Sequence, residues 1–347
     1  MRLSIIVPSN RDSLGADARI MQACSWASDT IEVVVRDNSG SPQKRAVLER
    51  IQQPNCRIII AEPCDANTNF QEGLRASTGE FVVFLGDDDG GLDRGIAAIG
   101  RVAAQVAGDP SVAGITGAYV LEQTDTSYVV SYPKVDSNAV VDRVAGYLGY
   151  QGPNLIFYSA IRRSILTDTW DFLFSHPFAL SFHDHFFSLT YLLSGRFVHV
   201  GRVAFIYDNA NWETVDVGVG RDIKLYAAAG LDPAIRQLQW MLCGFEGASI
   251  ILQSRFGLRY SLAERQAMAN QWFEVMFRRF AGDANARFDS PLMAEATALH
   301  AKWRQGFPNF QLESLLADIC DFIRRTSPEK AQAYHDFWTR VAVAPAS

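Results

Sequence analysis

The stretch that decides the fold runs from Phe81 to Gly91 and reads FVVFLGDDDGG. An uncharged apolar run, Phe81–Leu85, leads into a glycine, then consecutive carboxylates, then two more glycines. An apolar run of this length, bounded by turn residues, predicts a strand that is buried on both faces of a sheet.

The carboxylates that follow this strand are Asp87, Asp88 and Asp89. Side chains alternate along an extended chain, so Asp87 and Asp89 are expected on one side and Asp88 on the other. Like charges held close together repel unless a cation lies between them, and such oxygen ligands suit Mg²⁺ or Mn²⁺. A solvated acidic turn is the alternative. The position favours a site, because open α/β sheets bind ligands at the carboxyl ends of their strands.

Composition places the chain among ordinary globular proteins. It has 347 residues, 48% of them hydrophobic and 20% charged, and a net charge of −6, which argues against nucleic acid as a partner. The five cysteines form no CxxC pair, so neither a disulfide framework nor a zinc ribbon is indicated. The first apolar run is too short for a signal peptide, and no run approaches the ~18 residues of a membrane span. These features predict a cytoplasmic protein.

The first part of the chain alternates strands with helices, which predicts a parallel, doubly wound α/β sheet. The polar residues that follow three of the strands, at 8–12, 37–41 and 87–89, should then meet at one edge of that sheet. The predicted strands are Leu3–Val7, Ile31–Val35, Arg57–Ala61 and Phe81–Leu85.

The rest of the chain divides into a mixed part and a helical part. We expect a hairpin from 113–121 and 128–132, a strand at Leu155–Tyr158, short strands at 196–200 and 203–207, and a mobile linker at 216–221. Beyond it, apolar residues recur at helical spacing, which is typical of packing rather than of a cofactor site. We therefore predict a catalytic α/β domain over 1–212 and an all-α domain over 213–347.

At this level of detail the chain resembles a known family. The segments LSIIVPSNRD, VVVRDNSGS and NFQEGLRASTGEFVVFLGDDDG look like those of a family 2 glycosyltransferase of the GT-A fold. They are most similar to the branch that builds bacterial surface polysaccharides, including abequosyltransferase-like enzymes. The resemblance covers about residues 1–210.

The resemblance implies roles for residues of this sequence. Pro8 and Ser9 match the loop that lines the nucleotide pocket, and Asp37 matches the acid that hydrogen-bonds the base. Asp87 matches the first acid of the DxD motif, near the ribose, with Asp88 beside it among the nucleotide-binding residues. Asp89 matches the acid that reaches the metal, Mn²⁺ or Mg²⁺, on the diphosphate.

The chain departs from the family pattern in two places, both on the nucleotide side. The second strand ends in Arg36-Asp37-Asn38, where two acids are common. Asn69-Phe70-Gln71 replaces the usual Ala-Arg-Asn.

Asp184 resembles the second acid of the family's Glu-Asp pair, its catalytic base. An inverting transfer needs a carboxylate that takes the proton from the acceptor hydroxyl. Two alternatives remain open: Asp184 caps a helix, or it binds a transition metal with His183 and His185. Four residues at and after the end of the last predicted strand either line the acceptor site or belong to an ordinary surface loop: Tyr207, Asn209, Asn211 and Trp212.

These features together predict an inverting, metal-dependent hexosyl-type glycosyltransferase. It would move a sugar from a nucleotide-diphospho-sugar to a glycan or lipid-linked glycan in surface polysaccharide synthesis (O-antigen or capsule). The rivals are a sugar nucleotidyltransferase, whose glycine-rich loop after the first strand is missing here, and a non-catalytic nucleotide- or glycan-binding protein with a relict site. Peripheral attachment to the inner membrane face and homo-oligomerisation through the helical domain are left open.

Overall fold

The computed structural model describes residues 2–12, 14–150, 152–178, 180, 182–209, 214–282, 292–309 and 311–343. The chain forms two compact units. The first comprises residues 1–138, 150–170 and 194–210, and the second comprises 139–149, 171–193 and 211–347. The predicted domain boundary at residue 212 stays a prediction; the last segment of the first unit ends at residue 210. Two earlier segments, 139–149 and 171–193, also belong to the helical unit.

The first unit is built on a nine-stranded sheet. Its strands are β1 Leu3–Ser9, β2 Ile31–Asp37, β3 Cys56–Ile60, β4 Phe81–Phe84, β5 Gly90–Gly91, β6 Val112–Glu122, β7 Ser127–Val130, β8 Ala160–Arg162 and β9 Arg196–Asp208. Their order in the sheet is β3-β2-β1-β4-β8-β6-β9-β5, with β7 paired to β6.

The four N-terminal strands are parallel, as the sequence predicts. β1 lies between β2 and β4, and its register pairs Ser9 with Asp37 and Leu3 with Phe81. β3 continues the parallel pairing on the other side of β2. β1 and β4 are buried along their whole length, which accounts for the uninterrupted apolar sequence of β4 and for the mostly apolar sequence of β1. The remaining strands add a mixed half, in which β8 runs antiparallel to β4 and β6, and β9 runs parallel to β6.

Helices connect the strands and form most of the second unit. They are α1 Leu14–Ser25, α2 Pro42–Leu48, α3 Ala66–Ala76, α4 Asp93–Val106, α5 Val140–Leu148, α6 Arg163–Phe174, α7 His183–Ser194, α8 Val215–Ala228, α9 Gln239–Gln253, α10 Leu262–Gly282, α11 Met293–Gly306, α12 Leu312–Arg324 and α13 Pro328–Val343.

Two local predictions are wrong. Leu155–Tyr158 forms turns rather than a strand, although Leu155 and Ile156 are buried. A short apolar run indicates that a segment is buried but does not determine its backbone conformation. The strand in this region is β8, which begins two residues after the predicted one ends. The predicted mobile linker at 216–221 lies inside α8, whose first turn is capped by Thr214 through a hydrogen bond from Val217 N. The cap satisfies a free N–H group of that turn and offsets the low helix propensity of the glycines.

The second unit is held by a central helix, α9, whose residues are buried from Met241 to Ile251. α10 packs against it: the indole Nε1 of Trp272 donates to the carbonyl of Cys243 at 2.8 Å. Gly247 makes this approach possible, since a Cβ there would clash with the Trp272 ring. In the part of the chain that the structure describes, no helix combines the length and the hydropathy of a membrane span.

Candidate functional site

The carboxyl ends of β1 and β4 meet through Asp87. Its Oδ2 accepts a hydrogen bond from the Ser9 hydroxyl at 2.5 Å and from the backbone N–H groups of Asn10 and Arg11 at 3.3 and 3.2 Å. The Asp87 side chain is only 6% exposed. Ser9 and Asp87, which the sequence places at one edge of the sheet, are therefore in direct contact, and Asp87 fixes the chain that leaves β1. Pro8 lies buried one residue earlier in the same strand.

Lys44 lies at the centre of these groups, and sequence reasoning missed it. Its ammonium group lies 3.1 Å from Asp37 Oδ1 and 3.8 Å from Asp87 Oδ2, and it donates to the Ser9 hydroxyl at 2.5 Å and to the carbonyl of Arg11. The Lys44 side chain is 0% exposed. A buried lysine thus compensates the two buried acids at the ends of β2 and β4.

The sequence contains only a weak signal for Lys44. Pro42 marks the start of α2, which puts Lys44 in the first turn of that helix. The helix dipole slightly disfavours a cation at that position, but this small effect does not show that the lysine has a buried anionic partner.

Asp37 is held on both oxygens. Besides the contact of Oδ1 with Lys44, its Oδ2 accepts from the Ser39 hydroxyl at 3.0 Å, and the residue is 1% exposed. Asp37 therefore anchors Lys44 at the edge where a nucleotide is expected. Its predicted hydrogen bond to a base stays a prediction.

The two departures from the family pattern are bonded to each other. Arg36 donates to Asn69 Oδ1 at 2.5 Å, and Asn69 Nδ2 donates to Asn38 Oδ1 at 3.0 Å. Phe70, the next residue, packs its ring against Phe84 at the end of β4 with the ring centroids 4.9 Å apart. The unusual residues of β2 and α3 thus form one connected arrangement beside the predicted nucleotide edge.

The three acids do not alternate as an extended strand would. β4 ends at Phe84, and the chain turns immediately afterwards, with Asp89 N donating to the carbonyl of Gly86 at 3.1 Å. Asp88 then pairs with Arg11 at 2.6 Å, on the same side as Asp87. The alternation that predicted Asp88 pointing away does not apply, because glycine and three aspartates favour a turn over a continued strand.

Asp89 faces the end of β9. Its Oδ1 accepts from the backbone N–H of Asp208 at 3.0 Å, and its Oδ2 accepts from Gly86 N at 3.3 Å. Burial and the negative charges of Asp88 and Asp208 raise the pKa of Asp89 to about 7. A buried carboxylate beside two further acids suits a divalent cation with oxygen ligands. Asp208 is a site residue that sequence reasoning missed, although it directly follows the predicted strand 203–207 and ends the observed strand β9.

Asp184 lies in the second unit and is half-buried. It is the second residue of α7, so it lies inside the first turn and not at the N-cap. Among the described residues, no hydrogen bond engages its carboxylate, although its negative charge acts to raise the pKa of Tyr147 and of His185.

Of the candidate acceptor residues, Tyr207 has its hydroxyl 3.4 Å from that of Tyr158. Asn211 and Trp212 lie outside the described residues.

The alternative in which His183, Asp184 and His185 bind a metal together does not fit the structure. His185 is bound on both ring nitrogens, with Nδ1 2.5 Å from the Tyr147 hydroxyl and Nε2 3.0 Å from Arg279 Nη1. Because a guanidinium can only donate, Nε2 of His185 accepts and the ring is occupied. His183 points to different partners, which are described below.

Solved structures of other proteins share this fold. The 1–349 fragment of TarS from S. aureus matches with a TM-score of 0.54 at 14% sequence identity, covering 99% of this chain and 90% of that fragment. The same fragment in complex with UDP-GlcNAc matches with the same TM-score, identity and coverage. No protein-family model matches the sequence, and no protein of curated function matches it. The chain therefore shares the fold of these structures, and the GT-A fold that its sequence predicts is confirmed.

Proposed function

We propose that the chain is a glycosyltransferase that moves a sugar from a nucleotide-diphospho-sugar to an acceptor hydroxyl. The observation that carries the proposal is that the ends of β1, β2 and β4 meet at buried charges, and that Asp89 is bonded to the end of β9, in a fold shared with TarS. A TarS structure holds UDP-GlcNAc. In this chain the corresponding chemistry would fall to Ser9, the Asp37–Lys44 pair and the acids that follow β4.

A divalent cation, Mn²⁺ or Mg²⁺, fits the acids around Asp89. Asp88, Asp89 and Asp208 would hold it, because a cation would relieve the repulsion that raises the pKa of Asp89. When bound, such an ion stabilises the charge of the departing nucleoside diphosphate. The residues of the chain supply the rest: Lys44 holds Asp37 and Asp87 in place, and Arg11 fixes Asp88 at the rim of the site.

Asp184 is our candidate for the general base of an inverting transfer. Support comes from its resemblance to the second acid of the family's pair and from a carboxylate that no described residue binds by a hydrogen bond. An ionised aspartate accepts the proton of the acceptor hydroxyl as that oxygen attacks the anomeric carbon. The acceptor class that the sequence resemblance implies is a bacterial surface glycan, free or linked to lipid.

The test is a thermal-shift series with UDP, GDP, TDP and CDP, each with Mn²⁺, with Mg²⁺ and with EDTA. At about 100 times its dissociation constant, a ligand adds about 2.7 kcal/mol to the free energy of unfolding. At least one nucleotide should raise Tm only when the metal is present, and Asp89→Asn should abolish the difference. Asp125→Asn, which changes an exposed acid in the β6–β7 loop, is the matched control.

Two results would contradict the proposal. If no nucleotide raised Tm, the proposed nucleotide site would be refuted. If a nucleotide raised Tm equally in EDTA, the proposed metal dependence would be refuted. A nucleotidyltransferase would instead respond to nucleoside triphosphates and release pyrophosphate. A relict binding protein would bind nucleotide without any turnover of the sugar.

A further inference from the structure

The second unit contains a buried cluster of histidine and glutamate side chains that the proposed reaction does not use. His176 follows α6, His183 begins α7 and Glu246 lies within α9. Nε2 of His176 lies 3.4 Å from Glu246 Oε2, and Nε2 of His183 lies 3.5 Å from the same oxygen. The three side chains are 1%, 8% and 0% exposed. Their ligand atoms all lie within 4.8 Å of one another.

The two distances from Glu246 Oε2 to the imidazole nitrogens are those of ligands around one metal ion rather than of hydrogen bonds. A hydrogen bond between a charged imidazole and a carboxylate is normally about 2.7–2.9 Å long. Ligands held tetrahedrally at about 2.0–2.2 Å from an ion lie about 3.3–3.5 Å from each other. Among the described residues, none of the three converging atoms has a hydrogen-bond partner. Buried polar atoms normally have such partners, so all three need a common one.

The opposite side of two of these groups is held in place. Nδ1 of His176 lies 2.5 Å from the carbonyl oxygen of Phe178, which assigns the ring proton to Nδ1 and leaves the Nε2 lone pair facing Glu246. Tyr334 donates its hydroxyl to Oε1 of Glu246 at 2.9 Å and leaves Oε2 for the cluster. Partners of this kind orient metal ligands in known sites.

We propose that His176, His183 and Glu246 bind one divalent transition-metal ion inside the second unit, with Zn²⁺ as the best-fitting ion. Two imidazoles and one carboxylate are ligands that zinc accepts, whereas Mg²⁺ prefers oxygen ligands alone. The ion ties together the segment after α6, the start of α7 and the middle of α9. It is independent of the proposed donor site, which lies in the other unit.

The experiment measures metal in the full-length protein, expressed with added Zn²⁺ and purified without chelator. Elemental analysis should find about one zinc per chain. Removing it should lower Tm by about 5 °C, and adding Zn²⁺ should restore it. Glu246→Gln, which keeps an acceptor for Tyr334, should lose the zinc and the Tm response to Zn²⁺. Asp89→Asn, in the other unit, should keep both.

A measurement on the wild type covers the case in which Glu246→Gln fails to fold. Co²⁺ added to the zinc-free protein should give visible absorption bands of a four-coordinate site at one equivalent, and Zn²⁺ should remove them. Wild-type protein with less than about 0.1 zinc per chain, no Tm response and no Co²⁺ bands would overturn the proposal. That result would identify the cluster as a buried ion pair between histidine and glutamate.

Discussion

Lys44 offers the sharpest perturbation of the proposed donor site. Lys44→Met keeps the length of the side chain and removes the charge that faces Asp37 and Asp87. At the observed separations of 3.1 and 3.8 Å, each attraction is worth about 4–5 kcal/mol at an effective dielectric constant of about 20. Part of the lost attraction is offset, because the variant no longer has the desolvation cost of a buried ammonium group. Breaking a buried ion pair from one side typically lowers the free energy of unfolding by about 3–5 kcal/mol.

The assay is urea denaturation of the wild type and the variant at neutral pH, with Lys302→Met as control. Lys302 is 61% exposed and pairs with Asp318 on the surface. We expect its replacement to change stability by less than about 1 kcal/mol. Lys44→Met should also weaken nucleotide binding, because Asp37 and Ser9 lose a shared partner. A Lys44→Met protein as stable as the Lys302→Met protein would refute the claim that this ammonium group holds the strand ends together.

Two further changes test other parts of the account. Asp184→Asn should lower turnover by about 10²–10⁴-fold with unchanged nucleotide affinity, because it removes only the proton acceptor; more than about a tenth of wild-type turnover would place the base elsewhere. Glu32→Gln should lower the free energy of unfolding by about 1–2 kcal/mol at pH 7 in urea denaturation, while the exposed Glu313→Gln should have little effect. Burial raises the pKa of Glu32, but hydrogen bonds from Ser4 and from the backbone of Gly79 outweigh it and lower the pKa below its ordinary value of 4.5. Its contribution is therefore complete above pH 4.5 and is lost as the pH falls through the folded pKa, so the difference between wild type and Glu32→Gln should shrink on acidification. A difference that stays constant down to pH 3 would contradict this assignment.

The sequence was sufficient for the parallel half of the sheet and for the meeting of its strand ends. Apolar runs that alternate with helical segments are compatible with few sheet topologies. In a parallel sheet, the residues that follow the strands all lie at the edge where the carboxyl ends of the strands meet. The contact between Ser9 and Asp87 follows from that rule. Asp89 likewise lies at this edge, and its role as a metal ligand stays a prediction.

Other features depend on contacts between distant segments, which no local pattern encodes. In the sequence, Lys44 cannot be distinguished from an ordinary helix lysine. Only the fold of β1 and β4 places Ser9 and Asp87 beside it. Asp208 becomes a neighbour of Asp89 because β9 pairs with β5, which begins directly after Asp89. His176 and Glu246 are separated by 70 residues in the sequence, so only the packing of α9 reveals that His183 belongs with them and not with His185.

The most direct test of the central claim is hydrolysis of nucleotide-diphospho-sugars by the purified protein in the presence of Mn²⁺. Release of nucleoside diphosphate is followed for UDP-, GDP-, TDP- and CDP-linked sugars, in the wild type and in Asp89→Asn. The account predicts that at least one donor is cleaved, that EDTA stops the cleavage and that Asp89→Asn reduces it to background. A folded wild-type protein that releases no nucleoside diphosphate from any donor, or one that releases pyrophosphate from a nucleoside triphosphate and a sugar phosphate, would contradict it.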